Sequence, residues 1–207
     1  MSDPAAHPRH GLVRLAYRRV GTHAPAVITR EDNALSSAEL LTDGFGRIRE
    51  TVLGVMQGLS PDQLTHRLDH DANPVAWLIW HLTRVQDDHV AGAFGVPQVW
   101  TDGGWAARFG LRGDTMEIGY GHRSARVAEV AAKVSATPDL LVEYHEATYA
   151  QTIKHVSSIT DADLSRVVDR SWNPPVTLGV RLVSVMDDDM QHVGQAAFVR
   201  GILLREG

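Results

Sequence analysis

Three consecutive aspartates in the last quarter of the chain stand shortly before a histidine. Asp187, Asp188 and Asp189 precede His192 in a segment with helical apolar periodicity. In a helix, Asp188 and His192 would lie one turn apart on the same face. A carboxylate and an imidazole so placed can bind one divalent metal ion, because both are common ligands of such ions. The alternative interpretation is an acidic surface patch beside a solvated histidine.

The sequence leaves open which aspartate would bind the ion. Successive helical residues are separated by about 100°, so three aspartates cannot all face water if the helix packs on one side. Asp189 falls nearer than Asp188 to the centre of the apolar face, around Val185 and Val193. Asp189 also lies three residues before His192, a spacing that brings side chains together on a helix. Both aspartates therefore remain candidate ligands.

A further candidate ligand lies in an apolar, tryptophan-rich stretch. His81 closes the run WLIWH, which begins at Trp77. A lone histidine there is also explained as a hydrogen-bonded core residue. If His81 joins the aspartate and His192, three ligands from two helices leave coordination positions open, as in catalytic zinc sites. His89 lies about 12 Å further along the same helix, too far to share the ion.

A polar cluster on another predicted helix suggests pocket residues. His145 lies near the centre of an apolar face, beside Tyr149. A buried polar side chain there needs a partner, so a hydrogen bond to another helix is one explanation. The other is that His145 and Tyr149 line a substrate pocket together with Trp77 and Asp189. No residue is assigned a catalytic role.

Four long stretches of helical periodicity must position these residues. The predicted helices begin after Ser36-Ser37, at Asn73-Pro74, after Thr137-Pro138 and at about Thr177, and end near Gly58, near Gly92 or Gly95, near Val156 and near Leu204. The prediction is an all-α protein, a four-helix bundle with a long connection between helices 2 and 3 and short accessory helices. No strand is predicted. Residues 1–35 are interpreted as an N-terminal arm and residues 36–207 as the bundle.

Composition excludes several classes of function. The chain has 207 residues and no cysteine, so disulfides are excluded and any metal must be held by nitrogen and oxygen. The net charge of −5 argues against a nucleic-acid partner. No apolar run approaches the ~20 residues of a membrane span, and the first ten residues lack the apolar core of a secretory signal. We therefore expect a cytoplasmic protein with no membrane partner.

Two segments carry a resemblance to a known family. Residues 73–82 read NPVAWLIWHL and residues 188–195 read DDMQHVGQ. The chain resembles the DinB-like (DinB/YfiT) superfamily of metal-dependent four-helix bundles, particularly the actinobacterial-type branch related to mycothiol-dependent enzymes. The resemblance implies metal ligands at His81, at Asp188 and at His192. Asp188 departs from the family pattern, in which that position usually holds histidine. The family spacing favours Asp188 over Asp189 as the ligand.

The resemblance also implies a function. Relatives transfer or isomerise substrates with a low-molecular-weight thiol, so it implies a divalent-metal-dependent S-transferase or isomerase with Zn, Ni or Mn, and mycothiol as the thiol. The partner would be a small-molecule substrate. One alternative is a non-catalytic bundle that binds a metal or a small ligand. Another is a metal-free helical protein that forms a homodimer through an apolar helix face.

Overall fold

Helices account for most of residues 35–111 and 116–206, which are the residues that the computed structural model describes. In chain order the helices are α1 (Ser37–Met56), α2 (Pro61–Thr65), α3 (Val75–Phe94), α4 (Val99–Asp102), α5 (Trp105–Arg108), α6 (Ser124–Ser135), α7 (Pro138–Val156) and α8 (Leu178–Glu206). A 3-10 helix spans Asp161–Ser165. The predicted all-α class is confirmed. The predicted N-terminal arm lies, up to residue 34, outside the described residues.

Side-chain capping fixes the start of α1, whereas α3 begins without it. The Ser36 hydroxyl accepts a hydrogen bond from the Glu39 backbone N–H at 3.2 Å, and the Glu39 carboxylate accepts one from the Ser36 N–H at 3.0 Å. This reciprocal pair satisfies N–H groups at the start of α1 that would otherwise lack partners. At α3 the helix starts one residue later than predicted, because Pro74 is extended and occupies the N-cap position.

Helices α1, α3, α7 and α8 form the bundle. Helix α3 packs against α8 and α7, and α1 packs against the same two helices. Thr83 of α3 meets His145 of α7, and further along both helices Phe94 stacks on His155 with ring centroids 5.0 Å apart. Because the residue numbers of the contacting pairs rise along both helices, α3 and α7 run parallel. The long connection between them is therefore a crossover, as its length permits.

Two short strands correct the expectation that the chain has none. Strand β1 (Val167–Asp169) pairs antiparallel with β2 (Val176–Thr177). The Leu178 N–H at the start of α8 donates to the Arg166 carbonyl at 2.8 Å, which holds the ribbon against the helix. Strands this short contain too few residues for alternating polarity to be recognised. No helix in the described part of the chain is both long and apolar enough to cross a membrane.

A buried ionic network fastens the segment after α3 to the bundle. The Asp87 carboxylate accepts hydrogen bonds from the backbone N–H groups of Val99 (2.8 Å) and Trp100 (2.7 Å) and from the Tyr144 hydroxyl (2.9 Å). The Arg84 guanidinium lies 3.5 Å from Asp87 and 4.7 Å from the Trp100 ring centroid. Burial raises the pKa of Asp87, although these hydrogen bonds oppose the shift. The network connects α3, α4 and α7 in the interior.

His145 lies in the α3–α7 interface as a neutral, buried ring. The Thr83 hydroxyl donates to the Ile79 carbonyl at 2.7 Å, so the His145 Nδ1–H donates to the Thr83 oxygen, 3.1 Å away. Burial, with a smaller effect from the charge of Arg49, lowers the pKa of His145 to about 4. The hydrogen-bond explanation for this residue therefore accounts for its Nδ1 atom.

The buried His145 is expected to make the fold sensitive to mild acid. The unfolded chain takes up a proton on this histidine below its ordinary pKa of about 6.5, whereas the folded chain does so only near 4. Stability is therefore lost as the pH falls from about 6.5 towards 4, with a loss of about 2 kcal/mol between pH 7 and pH 5. Urea unfolding at both pH values should show that His145→Asn removes this part of the loss. The exposed His70→Asn is the control, and an unchanged pH slope in His145→Asn would contradict the assignment.

Candidate metal centre

The three side chains proposed as ligands converge between α3 and α8. His81, Asp188 and His192 each offer one ligand atom, and these atoms lie within 4.8 Å of one another. The two imidazole rings meet edge to face, with centroids 4.6 Å apart and an interplanar angle of 78°. Small side-chain movements would bring all three atoms to one ion. His81 is buried, whereas Asp188 and His192 are partly exposed, so the cluster is reachable from the surface.

The three consecutive aspartates have three different environments. Asp187 is exposed and accepts a hydrogen bond from the Gln191 side chain at 2.8 Å. Asp188 joins the two histidines. Asp189 is fully buried, and burial followed by the charge of Asp188 raises its pKa well above the usual value. The helical rotation of about 100° per residue explains this sequence of environments. The geometry therefore favours Asp188 over Asp189 as the partner of His192.

The imidazole of His81 is oriented by a backbone carbonyl. Its Nδ1–H donates to the Ile118 carbonyl, and its ring stacks on Trp77 with centroids 4.6 Å apart and an interplanar angle of 16°. With Nδ1 carrying the proton, Nε2 keeps its lone pair, which is the form that binds metals. Burial lowers the pKa of His81, partly opposed by the hydrogen bond to Ile118, so the ring is neutral at pH 7.

His192 is oriented by its own helix. Its Nδ1 atom lies 2.8 Å from the Asp188 carbonyl oxygen and 3.3 Å from Asp188 Oδ2. Burial disfavours the charged ring, but the hydrogen bonds and negative charge of Asp188 outweigh it, and the pKa of His192 is raised. For Asp188 the effect of burial is likewise outweighed by His192, and its pKa is lowered. Asp188 is thus a carboxylate at neutral pH, and His192 offers Nε2 once deprotonated.

These residues fit a divalent ion by their chemistry. Asp188 Oδ2 is buried, and within the described part of the chain its ion pair with His192 Nδ1 at 3.3 Å lacks hydrogen-bond geometry. A buried acceptor without a donor costs about 1–3 kcal/mol, more when it is charged. A cation shared with two imidazole nitrogens would satisfy it. Two nitrogens and one carboxylate oxygen are a donor set that zinc, nickel and manganese accept.

A loop segment, residues 116–122, covers the His81 side of the cluster. The Trp77 indole N–H donates to His122 Nδ1 at 3.3 Å, and His122 Nε2 in turn lies 3.0 Å from the Glu117 carboxylate. Arg126 also binds Glu117. The Ile118 carbonyl that orients His81 is therefore held between α3 and α6.

The buried Arg84 binds the same segment, residues 116–122, from the interior of the bundle. Its guanidinium donates to the carbonyls of Met116 (3.4 Å) and Glu117 (3.3 Å), the two residues before Ile118. Gly119 follows with a φ of +97°, and a Cβ atom there would lie 2.5 Å from His81 Nδ1. Sequence reasoning missed these residues. The only available signal was the glycine-rich composition of the connection after α3.

The residues predicted to line a pocket are found in different interfaces. Trp77 stacks on His81. His145 contacts Thr83 through Nδ1, as described above. Tyr149 lies under the Arg49 guanidinium, which is 5.2 Å from its ring centroid, at the α1–α7 interface. Of these three residues, Trp77 contacts the metal cluster, whereas the contacts given for His145 and Tyr149 lie elsewhere.

Comparisons with known proteins show which sequences and structures the chain is similar to. The sequence profile of the DinB superfamily matches residues 45–196, which include all three cluster residues. A solved structure, described as a conserved protein from Enterococcus faecalis, is similar with a TM-score of 0.71 and 29% sequence identity. The match covers 81% of this chain and 96% of that one. A search of curated proteins finds no match.

Proposed function

The chain belongs to the DinB superfamily, and from that premise we propose that it is a divalent-metal-dependent enzyme whose ion is held by His81, Asp188 and His192. The observation that carries the proposal is the approach of the three ligand atoms to within 4.8 Å of one another. Three protein ligands are the number found in catalytic zinc sites, which leave a position for substrate.

The chain's own residues would prepare this site in two ways. The backbone carbonyls of Ile118 and Asp188 accept hydrogen bonds from the Nδ1–H groups of His81 and His192. In each neutral ring, Nε2 is then free to bind the ion. Trp77 covers one face of the His81 ring and limits access of water. When bound, a divalent ion would make a thiol or water more acidic and stabilise negative charge that develops on a substrate.

We propose thiol chemistry as the reaction. The sulfur of a low-molecular-weight thiol, of which mycothiol is the example implied by the sequence resemblance, adds to one carbon of an electrophilic carbon–carbon double bond in a second molecule. The π bond opens and the other carbon takes the thiol proton, which gives a conjugate. Rotation about the resulting single bond followed by elimination of the thiol restores the double bond as its geometric isomer. The charge of the ligand set supports the proposal, because one carboxylate with two neutral imidazoles leaves positive charge on a divalent ion, which attracts a thiolate. The lack of cysteine in the chain is compatible with it, since the thiol would be supplied by the second substrate.

Replacing Asp188, but not Asp189, is expected to lower metal content and activity strongly. Asp188→Asn removes the negative ligand, so metal content measured by elemental analysis of the purified protein should fall at least about tenfold. Asp189→Asn is the matched control, because Asp189 is buried outside the cluster and should leave the metal content unchanged. Conjugation of an electrophile by mycothiol should follow metal content in both variants and in chelator-treated protein.

Two outcomes would contradict the proposal in different ways. Loss of metal in Asp189→Asn but not in Asp188→Asn would mean that the other aspartate is the ligand. Metal retained without any thiol-dependent conversion would instead favour a bundle that binds metal without catalysis.

A further inference from the structure

A cavity of about 450 Å³ opens between the start of α3 and the second half of α8. It is lined by Ala72, Asn73, Leu78, Gly194, Gln195, Phe198 and Val199. Its volume lies within the roughly 300–1,000 Å³ of small-molecule sites.

The cavity adjoins the candidate metal centre. Leu78 precedes His81 by three residues, and Gln195 follows His192 by three residues. Three residues are about one helical turn, or roughly 5 Å along the axis. Because Leu78 meets Gln195 at the cavity as His81 meets His192 at the cluster, α3 and α8 run antiparallel here. One groove between the two helices therefore contains both features.

The lining is apolar with two amides. Leu78 and Val199 are buried, Phe198 is 66% exposed, and Gly194 contributes no side chain. Asn73 and Gln195 supply the polar groups. An exposed phenylalanine at a cavity leaves apolar surface in water that a ligand could cover. A few polar groups among apolar ones are typical of sites that bind and orient a small molecule.

The opposite end of the same two helices offers different chemistry. A cavity of about 290 Å³ there combines apolar residues, Gly92, Ala93 and Val168, with polar side chains that already have partners: Asp88, His89, Asp169 and Arg181. Arg181 binds Asp169 at 2.7 Å, and His89 lies 3.1 Å from Asp88. An apolar group entering that cavity would remove water from these polar side chains without offering them a hydrogen bond, which costs free energy. Apolar substrate surface is therefore favoured on the Leu78 side of the cluster.

We propose that the cavity at Leu78 and Phe198 binds the apolar tail of the substrate whose donor atom binds at the metal centre. The inference rests on the proposed function and names the substrate class: a small molecule with a metal-binding head and an aromatic or branched aliphatic tail. The head reaches the ion at His81 and His192, and the tail extends along the groove towards Phe198, which lies nearly two turns beyond His192 on α8.

Hydroxamates of different tails test the proposal on cobalt-loaded protein. Acetohydroxamate and benzohydroxamate share the metal-binding head, and binding of either changes the visible absorption of Co²⁺. Benzohydroxamate should bind about tenfold or more tightly than acetohydroxamate, because its ring is removed from water in the cavity. Equal affinities would overturn the inference.

Substitutions in the cavity should change only the benzohydroxamate affinity. Gly194→Leu should fill the cavity and reduce the ratio of affinities to about one, since a Cβ atom at Gly194 meets no atom within 4 Å. Gly54→Leu on α1 is the matched control, with equal space around it and no part in the cavity. Phe198→Ser should lower the ratio severalfold, and Val183→Ser, equally exposed on α8, should leave it unchanged.

The outcomes separate this inference from the proposed function. If Co²⁺ binds and the two hydroxamates have equal affinities, the metal centre is supported and the binding of the tail in the cavity is contradicted. Absence of a cobalt spectrum in the unmodified protein would contradict the metal centre and with it the inference. A preference for benzohydroxamate that survives Gly194→Leu would place the aromatic tail elsewhere.

Discussion

Replacing His192 by alanine is expected to weaken metal retention by about a hundredfold or more while leaving most of the helical circular dichroism signal. The substitution removes one of three ligands, and a full set of protein ligands contributes about 10–16 kcal/mol to zinc binding. The fold should persist because His192 is partly exposed and its only hydrogen bond in the structure as described is to its own helix. Elemental analysis and competition with a chelator of known affinity measure the effect.

His89→Ala is the control for this prediction. His89 lies on α3, is about one-third exposed and pairs with Asp88 rather than with the cluster. Its replacement should leave metal retention close to that of the unmodified protein. Unchanged metal content in His192→Ala would show that the ion binds at another place, and the proposed function would lose its main support.

Replacing Gly119 by alanine should reduce metal affinity by about ten- to a hundredfold without touching a ligand. The new Cβ atom would lie 2.5 Å from His81 Nδ1 and 3.1 Å from Trp77 Cζ2, so the imidazole or the loop must move. Movement breaks the hydrogen bond between His81 and the Ile118 carbonyl that aims Nε2 at the ion. Loss of such a partner commonly costs this factor in metal affinity.

Gly121→Ala separates the steric effect from backbone strain. Gly121 lies in the same segment with a φ of +70°, and a Cβ atom there meets no atom within 4 Å. Both substitutions impose strain of about 1–3 kcal/mol, visible as a lower melting temperature. Only Gly119→Ala should also lower metal affinity. Equal affinity loss in both variants would attribute the effect to general loosening of the loop.

Local signals in the sequence were sufficient for the helical architecture. The start of α1 follows from the reciprocal hydrogen bonds of Ser36 and Glu39, which lie three residues apart. The helical repeat placed both Asp188 and Asp189 on His192's side of α8, because residues three or four apart are neighbours whatever surrounds the helix. The long connection between α3 and α7 follows from the distance along the chain between the second and third periodic stretches. All these inferences depend either on residues within about one helical turn of each other or on the length of a connection.

The tertiary structure decided the rest of the site. It placed Asp188 beside His81 and Asp189 in the core, a choice that the apolar face of α8 alone left open. It also brought the Ile118 carbonyl to His81 across 37 residues of chain. Helix periodicity is a local property, whereas the path of a loop depends on distant partners such as Arg84 and Glu117. The sequence therefore determined which residues share a helix face, and only packing between helices and loop determined which of them meet.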